Sequence, residues 1–191
     1  MKIIQLFCIL TGLVFCAACS IFPDPEQTET SYYDLDIPAR IVMEKPVEVV
    51  PFSTITGERF RMAYREEGNI VRGNEFHKWV QTPGAMVTKY LRLTFRDDPN
   101  EKSRNAQYTL DISGSVLLFE VLDDYAELGV RYKIQYGSRE KIFKTILIRE
   151  KLTEKTPRHF AAAMSKAANQ FALLLAKECK TLIDQEAAEK K

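Results

Sequence analysis

The strongest constraint on the fold is a period-two alternation of apolar and polar residues in the second half of the chain. The alternate positions that are mostly apolar are Tyr108, Leu110, Ile112, Gly114, Val116 and Leu118, then Ala126, Leu128, Val130, Tyr132, Ile134 and Tyr136. Alternation over this length predicts two antiparallel strands with one face toward a core. Asp123-Asp124 predicts the turn between them, and residues 142–149 supply a third strand after Gly137-Ser138.

Two other segments carry the signals of helices. They begin at Thr82-Pro83 and Thr156-Pro157, where threonine can cap free backbone amides and proline suits the first helical position. Apolar residues then recur at helical spacing, which predicts one buried stripe on each helix. The stripes are Met86, Val87, Tyr90, Leu91 and Thr94 or Phe95, then Phe160, Met164, Ala167, Phe171, Leu174, Leu175 and Leu182. We expect the first helix to end at Asp97-Asp98 and the second to run nearly to the carboxyl end.

Shorter strands are predicted before the first helix. They cover residues 32–37 and 47–50, followed by a hairpin of residues 60–65 and 69–72 that turns at Glu67-Gly68. Together these elements predict an α+β domain, in which a mainly antiparallel sheet is covered by one central and one long C-terminal helix. A hydrophobic content of 46% is ordinary for a single globular domain, which we assign to residues 32–191.

The amino terminus predicts an export signal followed by a lipid attachment site. Residues 3–14 form an apolar run that is shorter than the roughly 20 residues of a membrane span. The segment Phe15-Cys16-Ala17-Ala18-Cys19 comes next, and it resembles the lipobox of bacterial lipoproteins, where small residues precede an acylated cysteine. We therefore predict that residues 1–18 are a cleaved signal peptide and that Cys19 carries acyl chains such as palmitate.

Alternatives to this interpretation are ordinary secretion, a membrane span, or acylation of Cys16, which has the bulky Phe15 before it where a small residue is expected. In enterobacterial lipoproteins an aspartate after the acylated cysteine tends to cause retention in the inner membrane. Ser20 at that position favours the outer membrane, facing the periplasm. Residues 19–31 are polar and contain prolines, so they read as an acylated terminus and flexible tether that reaches about 40 Å when extended.

Few residues suggest catalysis, metal binding or nucleic-acid binding. His77 and His159 have no cysteine or carboxylate at metal spacing, so we predict no metal site. Asp97-Asp98 and Asp123-Asp124 fall at predicted turns, where aspartate is favoured because it bonds to the backbone. We find no catalytic or cofactor motif and expect the chain not to be an enzyme. A net charge of +1, from 27 basic and 26 acidic residues, argues against a nucleic-acid partner.

Two further positions each allow two interpretations. Cys179 is the one cysteine beyond the predicted signal and acylation site, and its place on the apolar side of a helix favours a buried small residue over a reactive thiol. Trp79 lies in residues 74–80, which are predicted to connect the hairpin to the first helix. It could cover the local core or, together with Phe76, contact a partner.

Several motifs resemble the family of ABC-type transport auxiliary lipoproteins, which includes the paraquat-inducible lipoprotein C. Tyr32-Tyr33-Asp34-Leu35 is similar to the Tyr-Tyr-x-Leu start of that family, and Val47-Glu48-Val49-Val50-Pro51 to its next strand. Ile70-Val71-Arg72, with Asn74-Glu75 and Trp79, resembles its hairpin and tryptophan segment. The likeness covers nearly the whole predicted mature chain. The chain departs from the family around the tryptophan, where a tyrosine or leucine-rich stretch is common.

The resemblance implies a periplasm-facing lipoprotein that acts in lipid traffic between two membranes. Its implied partners are an ABC permease and ATPase and an inner-membrane protein with mammalian-cell-entry (MCE) domains, and no cofactor is implied. The residues leave two other functions open, namely an outer-membrane assembly or secretion-pilot lipoprotein and an anchored envelope enzyme. They also leave open whether the chain forms a homo-oligomer.

Overall fold

The alternating segments form central strands of an eight-stranded sheet in the computed structural model, which describes residues 29–66, 69–96, 109–136 and 139–189. Within these residues two helices accompany the sheet, one central and one long and C-terminal, and the predicted α+β class is confirmed. The strands are β1 (Ser31–Tyr33), β2 (Val47–Val49), β3 (Ser53–Thr54), β4 (Arg61–Arg65), β5 (Val71–Trp79), β6 (Leu110–Leu122), β7 (Tyr125–Tyr136) and β8 (Arg139–Lys151). The helices are α1 (Pro83–Thr94) and α2 (Pro157–Glu189).

The strands follow the order β1-β5-β4-β6-β7-β8 across the sheet. The longest pairings, β6 with β7 and β7 with β8, are antiparallel as predicted, and β4 and β5 form the predicted antiparallel hairpin. The short strands β2, β3 and β4 lie one after another along the other edge of β6 and run parallel to it, and β1 is parallel to β5. The sheet is therefore mixed, because several short segments together complete one edge of β6.

The side chains of β6 change faces at a register irregularity between Val116 and Leu118. Before the irregularity Leu110, Ile112 and Val116 of the predicted set are buried, but beyond it the buried apolar residues are Phe119 and Val121. The prediction that Leu118 continues the buried parity is wrong, since an extra residue in one strand reverses the alternation that follows. Gly129 stands opposite Leu118, and a Cβ there would lie 3.0 Å from the Leu118 Cβ, so glycine makes room for the displaced side chain.

The prediction of a strand at residues 32–37 is wrong beyond Tyr33, because hydrogen bonds to side chains there take the place of backbone hydrogen bonds to a neighbouring strand. The Asp34 carboxylate accepts a hydrogen bond from the Leu35 backbone N–H at 2.9 Å. The Asp36 backbone N–H donates to Ser165 Oγ of α2, also at 2.9 Å. Local bonds of this kind compete with strand pairing, so the chain leaves the sheet after β1.

Both helices pack against one face of the sheet and share a single core with it. α1 begins at Pro83 as predicted, but the Thr82 side chain forms no capping bond, and the Thr82 carbonyl instead accepts from the Met86 N–H at 3.0 Å. At α2 the predicted cap is present, because Thr156 Oγ1 accepts from the His159 backbone N–H at 3.4 Å. All predicted stripe residues are buried except Leu174, which is half-buried against the core.

The other face of the sheet carries two buried carboxylates, Glu120 on β6 and Glu127 on β7, which are register partners. Arg65 binds Glu120 through Nε at 2.5 Å and Nη2 at 3.0 Å. Arg149 lies with its Nε 2.7 Å from the Glu127 Oε1. These four charges form a ladder across β4, β6, β7 and β8, and each buried carboxylate has its own arginine.

Candidate functional site

The chain enters the described domain at one edge of the sheet. β1 is the first strand in the sheet order and runs parallel to the end of β5, with Tyr33 opposite Trp79. The Tyr33 hydroxyl and the His77 Nδ1 are 3.3 Å apart, and the two rings pack edge to face with centroids 5.8 Å apart. We call β1 together with residues 76–80 the amino-terminal edge. The predicted acylation site Cys19 and signal peptide lie outside the described residues.

Phe76 is exposed because β5 departs from regular pairing next to it. The register between β4 and β5 shifts between Arg61 and Ala63, so β5 has additional residues at this point. Asn74 Oδ1 accepts hydrogen bonds from the backbone N–H groups of Phe76 at 3.0 Å and His77 at 3.1 Å. This side-chain cap substitutes for ladder bonds and holds the bulge. Phe76 is 45% exposed, so its ring is accessible from solvent.

Other apolar side chains are exposed along the same edge. Tyr32 stands opposite Lys78 in the register of β1 and β5, and its ring is largely in solvent. Val80 is also exposed, and its N–H donates to the Tyr33 carbonyl at 2.9 Å, which continues the β1–β5 pairing. With Phe76, these residues give the amino-terminal edge an apolar surface that includes one lysine.

A cluster of charges borders this surface. Arg61 donates from Nε and Nη2 to the two carboxylate oxygens of Glu58, both at 3.0 Å, and from Nη1 to Glu75 at 2.6 Å. The hydrogen bonds that Arg61 donates to Glu58 are the main cause of the raised pKa of Arg61. Sequence reasoning missed this cluster, because only the hairpin brings residues 58–61 beside Glu75. A polar rim around exposed aromatic residues is the usual arrangement at protein interfaces.

Trp79, predicted either to cover the core or to contact a partner, belongs to the core. It is 1% exposed, and its ring packs edge to face against Phe119 and Phe160, with centroids 5.0 and 5.2 Å away. Its Nε1 is buried without a hydrogen-bond partner among the described residues. The residue lies within β5 rather than in the predicted connection. The partner-contact prediction is therefore wrong for Trp79, because a ring between the sheet and α2 cannot reach another protein.

The remaining candidate residues have structural surroundings. Burial raises the pKa of the Cys179 thiol to about 12, as suits a small buried residue. His159 Nδ1 contacts Thr156 Oγ1 at 2.7 Å, and within the described ranges no group of three His, Cys, Asp or Glu residues could hold a metal ion. Asp124 lies in the predicted turn, and Lys155, 2.7 Å away, lowers its pKa. Asp97-Asp98 lies outside the described residues.

A cleft of about 460 Å³ lies between residues 36–39 and α2. Asp36, Tyr90 and Glu150 line it together with polar residues of the helix. Burial is the main cause of a raised pKa of Tyr90, so its hydroxyl keeps its proton at neutral pH. No helix in the described part of the chain is long and apolar enough to cross a membrane.

The fold is similar to two solved structures. One is the crystal structure of protein XCC0632 from Xanthomonas campestris, of the family DUF330, with a TM-score of 0.63, 17% identity, and coverage of 84% of this chain and 100% of that one. The other is an uncharacterized protein, with a TM-score of 0.55, 14% identity, and coverage of 78% and 98%. No protein-family model and no curated protein matches the sequence. At such identities the likeness establishes the fold alone.

Proposed function

We propose that the chain is a membrane-anchored periplasmic auxiliary subunit of an ABC/MCE-type intermembrane lipid transport system, and that it docks the conduit at the outer membrane. The observation that carries this proposal is the lipobox ending at Cys19, followed by a short polar tether that leads into the amino-terminal edge. In this proposal the chain binds rather than catalyses and needs no cofactor. Its partners are the MCE-domain protein and, through it, the permease and ATPase.

The anchor supplies both attachment and local concentration. A single acyl chain binds a bilayer only marginally, whereas two or more hold a protein stably. A tether that ends before β1, over residues 19–30, reaches about 40 Å, so the domain stays within that distance of the membrane and meets its partner repeatedly. Lipids do not cross water unaided, so a conduit between two membranes needs a docking point at each of them.

The amino-terminal edge is the surface that we assign to docking. Phe76 is exposed next to the bulge that Asn74 holds, Tyr32 is exposed on the same edge opposite Lys78, and the cluster centred on Arg61 forms a polar border. The residues that dominate the binding energy of an interface are often aromatic and are surrounded by a rim of other contacts. The described chain enters the domain through β1 at this same edge, which supports a docking surface near the proposed tether.

The anchor is tested by Cys19→Ser, with Cys16→Ser as the matched control. We expect Cys19→Ser to give an unprocessed precursor that takes up no radiolabelled palmitate, because the acceptor sulfur is lost. Cys16→Ser should be labelled and processed normally. Labelling that depends on Cys16, or mass spectra of a mature protein with an unmodified thiol at Cys19, would refute the anchor.

Docking is tested by co-purification of an MCE-domain protein from envelope extracts. Phe76→Asp should lower its recovery at least about tenfold, since a buried interface aromatic contributes about 2 kcal/mol or more. Leu173→Asp is the control, because Leu173 is exposed to a similar extent, 53% against 45% for Phe76, but lies on α2. Recovery of a secretin or an outer-membrane barrel in place of an MCE-domain protein would favour the assembly or pilot function.

A further inference from the structure

The far edge of the sheet, opposite the amino-terminal edge, is formed by β8. Over the described ranges, β8 pairs with β7 along its whole length and has no strand on its other side. With 13 residues it is much longer than a common strand of about 5 or 6 residues. A long edge strand presents a row of free backbone N–H and C=O groups, which is a template for pairing with another strand.

Apolar side chains lie on both faces of this edge strand. On the face away from the helices, Phe143 is 62% exposed and Leu147 is 46% exposed. On the helix side, Ile146 and Ile148 are half-buried and pack against the core from one side only. A further strand beside β8 would cover apolar surface on both faces, as neighbouring strands do inside the sheet.

The sequence of β8 fits an antiparallel copy of itself. Two-fold pairing centred on Leu147 sets Ile146 opposite Ile148 and Lys144 opposite Glu150, and symmetry repeats both pairs. It also sets Thr145 opposite Arg149 and Phe143 opposite Lys151, so no two like charges meet. Opposite charges directly across a sheet stabilise the pairing, and like charges oppose it.

The neighbouring registers fit less well. A two-fold axis perpendicular to the sheet keeps each set of side chains on its own face. The axis must therefore lie midway between two copies of the same residue, which face each other across the two strands. Centring on Ile146 sets Ile142 opposite Glu150, and centring on Ile148 sets Ile146 opposite Glu150. Centring on Thr145 sets Glu150 opposite Glu140. Only the register at Leu147 pairs Glu150 with a cation.

We propose that a second copy of this chain pairs antiparallel with β8, centred on Leu147, to form a two-fold dimer with one continuous sheet. This dimer goes beyond the proposed transport function; the strand pairing itself does not depend on that function, and only the gain in avidity described below rests on the proposed anchor. β1 lies at the opposite edge of each sheet, so the tether and the amino-terminal edge stay free in the dimer. Each dimer carries two anchors and two docking surfaces, which raises the avidity for a membrane-bound partner.

Cysteine cross-linking of the full-length protein in lysates of whole cells, which contain the protein whether or not it is anchored, tests the register. In the dimer the two Leu147 Cα atoms are about 4.5–5.5 Å apart, within the roughly 4.4–6.8 Å span of a disulfide. Leu147→Cys should therefore form a covalent dimer on mild oxidation with copper phenanthroline. Phe143→Cys is the control, because its two copies are about 26 Å apart at about 3.3 Å per residue.

We expect at least about ten times more covalent dimer from Leu147→Cys than from Phe143→Cys, although Phe143 is the more exposed of the two. Equal cross-linking of both variants would indicate random collision and overturn the proposal, as would no cross-linking of Leu147→Cys. Both positions are exposed, so neither substitution is expected to prevent folding.

Charge reversal gives a second test that does not depend on cysteine exposure. In a Leu147→Cys background, Lys144→Glu sets two acidic residues opposite each other, and Glu150→Lys sets two basic ones. Lys144 also binds Glu178 of α2 at 2.6 Å and Glu150 accepts a hydrogen bond from Gln170, so circular dichroism first establishes that each variant keeps the wild-type fold. Each change alone should lower the covalent dimer at least about fivefold. Co-expression of the two variants should restore it, because each chain then offers the opposite charge to the other. Failure of the mixed pair to recover cross-linking would overturn the proposed register.

Discussion

Replacement of Trp79 separates a core role from a partner role, because the ring is buried between β6 and α2. Trp79→Ala removes the largest fully buried side chain of the described residues and its edge-to-face contacts with Phe119 and Phe160. Large-to-small changes of this kind cost about 3–5 kcal/mol, and each aromatic pair accounts for about 0.5–1.5 kcal/mol beyond its buried area. We therefore expect the free energy of unfolding to fall by about 4 kcal/mol.

Trp79→Phe is the matched variant. It keeps an aromatic ring between Phe119 and Phe160 and removes the buried Nε1–H, which has no partner in the described chain. Leaving such a donor unpaired costs about 1–3 kcal/mol, and its removal offsets part of the lost packing volume. The expected loss is at most about 1.5 kcal/mol. Phe76→Ala, on the same strand but exposed, should change stability by about 0.5 kcal/mol or less.

The assay is urea unfolding of the purified detergent-solubilised protein, followed by circular dichroism so that loss of the single tryptophan does not remove the signal. Thermal unfolding gives a second measurement. For a domain of this size a change of about 1 kcal/mol in the free energy of unfolding corresponds to a Tm change of about 2–4 °C, so Trp79→Ala should lower Tm by roughly 8–16 °C. A Trp79→Ala protein that keeps the stability of the wild type but loses its partner would refute the core assignment.

Three further predictions follow from particular contacts. Arg65→Ala should cost about 3–5 kcal/mol in urea unfolding, because it leaves Glu120 buried without its partner, and an unchanged midpoint would show that the pair is not needed. Gly84→Ala should lower Tm by several degrees, because its Cβ would lie 2.4 Å from the Phe52 carbonyl oxygen; wild-type melting would contradict this contact. The Cys179 thiol should react with Ellman's reagent only after unfolding. Its pKa rises from 9.0 to about 12, so its contribution to stability is complete below about pH 9 and is lost between about pH 9 and 12. Rapid labelling of the native protein would contradict its burial.

The regular elements could be predicted because their signals are local. Every apolar residue of the predicted alternation in residues 126–136 is buried in β7, and the Thr-Pro pairs mark the starts of both helices. Such patterns follow from the backbone geometry of one segment, in which side chains alternate along a strand and recur at 3.6 residues along a helix. The same reasoning correctly favoured a buried Cys179.

The errors arose where a residue's surroundings come from distant parts of the chain. Leu118 leaves the core because β6 is irregular opposite Gly129, and Trp79 enters it because β5 extends farther than the hairpin signal suggests. The strand after Tyr33 ends because Asp36 bonds to Ser165, which lies 129 positions away in the sequence. None of these contacts leaves a periodic signal in the segment that it changes.

The sequence by itself determined the types of the elements, the apolar faces of both helices and the chemistry that predicts an acylated terminus. Only the tertiary structure decided that three short strands share one edge of β6, that Phe76 is exposed while Trp79 is buried, and that β8 is left as a free edge. The reason is that periodicity records which side of a segment is buried, whereas pairing order depends on contacts between segments far apart in the chain.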